Sequence, residues 1–218
     1  MLNTSGGLTG GDRFTATAKA GAGSRLVLTT QAAERAYLST SGTARVTTHL
    51  DVAKGASLHW LPQELILFDG AALERSLKVD VANGSEVVLV EPVVFGRRAM
   101  GEVRISGTFN DRITLTRDGA PIYWDRVSLS GPIGAQLDRP AVADGMTAMA
   151  NAIYFGPRAA HLLNKVRAIL PKTGGASLVL PELLILRLLA TDSFLLRRTL
   201  VPILECLTES SLPKSWSL

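Results

Sequence analysis

Residues 55–68 read GASLHWLPQELILF, and residues 174–186 read GGASLVLPELLIL. Each passes from a glycine turn into a short apolar strand, then to a proline and an acid, then into a second apolar run. Looser copies surround Gly23 (KAGAGSRLVLTTQAAER) and Gly84 (VANGSEVVLVEPVVF). The first three copies follow one another at about thirty residues. A recurring strand–break–strand unit predicts a mainly β protein of wound or stacked sheets, β-helix-like, in which each unit buries its face on the next. The plainer alternative is that any β protein reuses glycine turns.

Outward from these copies, residues 14–130 read as β structure: apolar and β-branched runs punctuated by turn residues. The runs fall at 25–30, 44–52, 65–68, 77–81, 86–90, 102–109, 112–117 and 122–129. Turns are expected at Ala53-Lys54-Gly55, Ala82-Asn83-Gly84, Asn110-Asp111 and Asp118-Gly119. Two segments of the C-terminal third read as α-helices. Residues 157–170 place Ala160, Leu163, Val166 and Leu170 at helical spacing behind Pro157. Residues 192–208 start at a capping Asp192, with Pro202 expected to bend or break them. Residues 1–218 are read as one domain.

Composition narrows the function. Only 19% of residues are charged and 46% are hydrophobic, a balance that leaves apolar surface for partners. The net charge of +4 arises in residues 157–218, and no basic run interleaved with aromatics marks a nucleic-acid surface. One cysteine, Cys206, excludes an internal disulfide and a cysteine-built zinc site. The three histidines do not fall at metal-ligand spacing, and no G-x-S-x-G is present. A polar N-terminus and interrupted apolar windows argue for a cytoplasmic protein without a membrane span.

The acids carry more information. Glu34, Glu64 and Glu91 occupy corresponding points of the repeat, each between apolar runs. An acid there is costly to bury unless it is paired or binds a cation. If the units stack, the carboxylates could form a row that passes a divalent ion. The other reading is ordinary pairing with Arg35, Arg75, Arg97 or Arg98, or exposure at strand ends. The opening MLNTSGGLTGGDRF lacks the Gly-Lys-Ser/Thr of a phosphate loop and reads as a tight double turn closed by Asp12 and Arg13.

NTSGGLTGGDRF, TTQAAERAYLS, LHWLPQELILFDGAALERS, VFGRRAMGE, RITLTRDGAPIYWDRVSL and the closing PKSWSL, in that order, resemble the urease accessory protein D family, UreD, also called UreH. The resemblance covers nearly the whole chain. It implies a wound, mostly β fold with a pair of helices, and a scaffold chaperone rather than an enzyme. Such a scaffold docks on apo-urease, recruits accessory protein F and the GTPase accessory protein G, and helps deliver nickel along an internal water-filled route. No cofactor is tightly bound; nickel is held transiently. The family pattern also implies that several strands usually precede the NTSGGLTGGD motif, so this chain is expected to lack them and to leave strand edges unpaired.

Under that resemblance, Asp12 becomes a candidate for the nickel route, with Glu34, Glu64, Asp69, Glu91 and Glu102 as further route or pairing candidates. Transfer favours weak, exchangeable oxygen sites over a closed cage. Arg13, Arg35, Arg97 and Arg98 are expected as structural partners of these acids, and Leu195, Leu196, Arg197 and Arg198 as a partner-docking face. Two readings of other classes stand beside it: a structural β-module that mediates assembly with no metal role, and a hydrolase on a β-solenoid, which would need clustered carboxylates.

Overall fold

The computed structural model describes residues 1–97, 100–102 and 104–216. Its first three coils are successive windings of the repeat. The first holds β1 (Arg13–Ala20), β2 (Arg25–Thr29) and β3 (Glu34–Ala36). The second holds β4 (Ala44–Val52), β5 (Ser57–Leu61) and β6 (Leu65–Leu67). The third holds β7 (Ala72–Val81) and β8 (Glu86–Phe95), where the break has closed into one strand. Strand β9 (Gly107–Arg117) begins a fourth turn, and β10 (Ala120–Gly131) folds back on it.

Each coil gives one length of chain to each of two walls. The first wall runs β1-β4-β7-β9 in parallel and ends with antiparallel β10. In the second, β2-β5-β8 and β3-β6-β8 are parallel. Three antiparallel strands extend it: β11 (Ala148–Phe155), β13 (Leu183–Ala190) and β12 (Gly174–Leu180). The coils stay in register at their corners because Gly23, Gly55 and Gly84 share a φ of +70° to +76°, which a side chain would resist. Gly55 N–H donates to the Gly84 carbonyl at 3.3 Å, stacking one corner on the next.

The opening glycines are explained by close approach. Leu8 forms a parallel bridge to Ala36, with Leu8 N–H to the Arg35 carbonyl at 2.7 Å. A Cβ on Gly7 would press into the Tyr37 ring and lie 2.8 Å from that carbonyl. Asp12 closes the turn by accepting the Thr9 N–H at 2.8 Å.

Helices α2 (Ala159–Ile169) and α3 (Ser193–Thr208) cover the outer face of the second wall. Leu162, Val166, Leu196, Leu200, Ile203 and Leu204 pack there on Val88, Val90, Ala150, Ala152 and Leu186. A short helix α1 (Ile133–Leu137) follows β10.

Several sequence expectations are corrected. The fourth repeat copy is not a coil: GGASLVLPELLIL folds back at Pro181-Glu182 into the β12–β13 hairpin, whereas Pro62-Gln63-Glu64 joins two segments of one wall. The same words give two shapes because β5 has parallel neighbours on both sides and β12 pairs only with β13. Residues 102 and 104–106 are not strand, and Asn110-Asp111 is no turn but lies inside β9, where each pairs with β10. Helix α2 starts at Ala159, with Pro157 in the turn before it, and buries Ala159, Leu162 and Val166 instead of a stripe through Ala160. Pro202 neither breaks α3 nor divides it: the buried face from Leu196 to Leu207 offsets one lost backbone bond. Asp192 caps α3 as expected, accepting the Leu195 N–H at 2.8 Å.

Candidate functional site

Between the walls lie two separate apolar clusters. One includes Leu73, Val93, Phe109, Leu129 and Met149; the other includes Leu50, Leu77, Leu89, Ile113 and Ile153. The inward positions of each strand alternate, and the position between the clusters is never a large aliphatic residue. It is Ala16 in β1, Thr48 in β4, Arg75 in β7, Asp111 in β9 and Asp125 in β10. On the other wall it is Glu91 in β8, Asn151 in β11 and Arg187 in β13. From Thr48 onward these side chains form a polar belt between the clusters, stepped where Thr48 pairs with Leu77 and Asp125 with Ile113.

At one end the belt faces a chamber of about 460 Å³ lined by Ala16, Thr48, Trp60, Gln63, Arg75 and Glu91, with residues 1–6 and 30–35 at its rim. Small residues at two middle positions leave room on the first wall. The second wall has no regular strand there, since β2 stops at Thr29 and β5 at Leu61 before β3 and β6 begin.

Glu91 and Asp111 are nearly wholly buried. Arg75 spans them: Nη1 lies 2.5 Å from Glu91 Oε2, while Nε and Nη2 donate to the two Asp111 oxygens at 2.9 and 2.7 Å. Trp60 Nε1–H donates to Glu91 Oε1 at 2.8 Å. Two carboxylates thus share one guanidinium. Burial is the largest influence on Glu91 and raises its pKa; Asp111 adds to this, and Arg75 and the Trp60 donor offset it only in part. Burial opposes charge on Arg75 too, but Asp111 and Glu91 outweigh it and hold the guanidinium ionised. Further along the belt, Arg187 donates to Asn151 Oδ1 and Asp125 Oδ2, both at 2.7 Å.

The six candidate acids separate. Glu34 and Glu91 line the chamber; Glu34 accepts from Asn3 Nδ2 at 2.9 Å. Glu64 is instead paired with Arg197 at 3.1 Å. Asp69 and Glu102 sit at a corner: Asp69 accepts the Ser106 N–H, and Glu102 binds Arg97 at 3.1 Å. Burial would raise the Glu102 pKa, but hydrogen bonds from Arg97 and two backbone N–H groups hold it below the usual range. Asp12 is engaged by its turn and does not line the chamber. The three repeat acids are not in one row, because Leu65 lies opposite Glu34 and Val93 opposite Leu65.

Arg13 and Arg35 are exposed and have no ion-pair partner among the described residues; Arg98 lies outside them. On α3, Leu195 and Arg198 are exposed, beside Phe194. Leu196 is in the core, and Arg197 turns inward to Glu64 and stacks 4.9 Å from Trp216. What the sequence reading missed is Trp60, Asp111, Asp125, Asn151 and Arg187; for the last four the available signal was a polar residue midway along a strand with apolar residues on either side.

No group of three or more His, Cys, Asp or Glu side chains among the described residues is placed to hold a metal ion. Burial raises the Cys206 pKa, which suits a packed thiol and not a nucleophile. His59 is buried beside Arg25, Glu86 and Arg158, and burial first, then the two arginines, push its pKa down to about 4. The unfolded chain takes up that proton near pH 6.5 while the folded chain refuses it, so stability falls as pH drops from about 6.5 toward about 4. The expected loss between pH 7 and pH 5 is up to about 2 kcal/mol. Urea denaturation of wild type and His59→Leu at the two pH values checks this; the variant should lack that part of the loss.

Two wound β walls, helices on the outer face of one of them and a buried charged belt between them define a wound, mainly β class of protein. The sequence profile of the UreD urease accessory protein family matches residues 1–217. The chain is 50% identical over 219 residues to urease accessory protein UreD of Roseobacter denitrificans, covering 100% of this chain and 80% of that one. It is 48% identical to UreD of Ruegeria pomeroyi (100% and 85% covered) and 45% identical to UreD of Agrobacterium fabrum (100% and 77%). The chain belongs to the UreD urease accessory protein family, whose members act in urease maturation and are not themselves enzymes. No helix among the described residues is long and apolar enough to cross a membrane.

Proposed function

We propose that this chain is the scaffold on which apo-urease, accessory protein F and accessory protein G assemble, and that nickel bound for the urease active site passes through its interior chamber. The observation that carries the reading is the chamber's floor: Glu91, a buried carboxylate that shares the Arg75 guanidinium with Asp111 behind it, beside a space large enough for a hydrated ion. Burial of surplus negative charge is costly unless a cation offsets it. Oxygen donors without a closed ligand cage suit an ion that must leave again. Glu34 at the rim supplies a second oxygen station. Glu102 and Glu64 serve as structural partners of Arg97 and Arg197, and Asp69 holds the Ser106 N–H.

Glu91→Gln tests the reading. The amide keeps an oxygen for the Trp60 donor and removes the charge, so the fold should persist. Co-expressed with the urease subunits and the other accessory proteins, the variant should still co-purify with them and lower urease activation at least tenfold. Full activation would reject the chamber route and leave a purely structural module.

A further inference from the structure

We infer that Arg75 is the built-in countercharge that keeps the chamber a weak, passing site for a divalent cation instead of a trap. The inference rests on the chamber reading above and adds which residue sets the affinity. Three of the five guanidinium donors are engaged by the two carboxylates, bidentate on Asp111 and single on Glu91, and Arg75 is almost fully enclosed. The remaining Glu91 oxygen holds the Trp60 indole N–H.

Charge balance decides the consequence. With Arg75 in place and both carboxylates ionised, the triad carries one net negative charge. A dication at Glu91 reverses that to one net positive charge, leaving the buried site as unbalanced as before. Without Arg75 burial favours a proton on the carboxylate pair; the same dication displaces it and brings the two carboxylates to neutrality. Charge interactions strengthen in a poorly solvated interior, so this difference dominates the affinity. A fixed guanidinium also competes for the same oxygens and, unlike lysine, cannot yield by losing its proton.

The test is nickel binding to the whole chain by equilibrium dialysis, with thermal unfolding measured with and without nickel. Arg75→Gln should bind one nickel ion at least a hundredfold more tightly than wild type and gain thermal stability on binding it. Arg75→Gln/Glu91→Gln should lose that gain, and Arg75→Lys should stay within about tenfold of wild type. Should Arg75→Gln be unfolded alone, micromolar nickel should fold it, as read by far-ultraviolet circular dichroism. Affinity no better than wild type, a gain that survives Glu91→Gln, or failure to fold in millimolar nickel would each overturn the inference. These readouts involve no urease, so the countercharge role and the delivery route can fail separately.

Discussion

Arg75→Leu is expected to destabilise the protein by about 3–5 kcal/mol, because it leaves Glu91 and Asp111 buried without their cation. The carboxylates themselves are nearly inaccessible, at 4% and 3% of their full exposure, so water cannot replace the guanidinium at little cost. The diagnostic part is the compensation. Arg75→Leu/Glu91→Gln/Asp111→Asn removes the charges together and should recover at least half of the loss. An ion pair replaced as a unit avoids the penalty of its orphaned partner. Urea denaturation of the single and triple variants reads both numbers. Equal losses in the two would mean that the triad contributes by shape and not by charge.

The second large effect separates two neighbours on α3. Leu196→Asp is expected to cost at least about 4 kcal/mol, since it deletes a core side chain and buries a carboxylate against Val90 and Leu186. Leu195→Asp, at a position 41% exposed, should stay within about 0.5 kcal/mol. Only the Leu195 variant can therefore report on partner docking through this helix: lost complex formation by a stably folded Leu195→Asp would assign the face formed with Phe194. Thermal unfolding of each variant alone, before any binding assay, checks the stability half. Comparable unfolding temperatures for the two would contradict the packing described.

Much of the scaffold is legible in the sequence because its physics is local. The corners at Gly55 and Gly84 need positive φ, and the sequence supplies glycine there. The walls alternate with period two, and Asp192 announces α3. The misreadings arise where tertiary context overrides local signals. Asn110-Asp111 has turn chemistry, yet Asp111 is held in mid-strand by Arg75. Residues 174–186 repeat the coil's words, but their pairing with β11 and β13 makes a hairpin. Strand β11, AMANAIYF, is buried on both faces and has no alternation to betray it. The chamber is less legible still. Glu91 stands out as an acid among aliphatics, but the belt is assembled from seven strands, and its residues are far apart in sequence. Glu64 stands out equally and turns to Arg197, a partner 133 residues away.

The most direct measurement is the nickel content of urease matured in a purified system with wild-type or Glu91→Gln chain, read by elemental analysis after the complex is shown to be intact. A passage through the chamber predicts normal assembly with at least a tenfold deficit in nickel per urease active site. Urease filled with nickel to the wild-type level by the Glu91→Gln chain would contradict it.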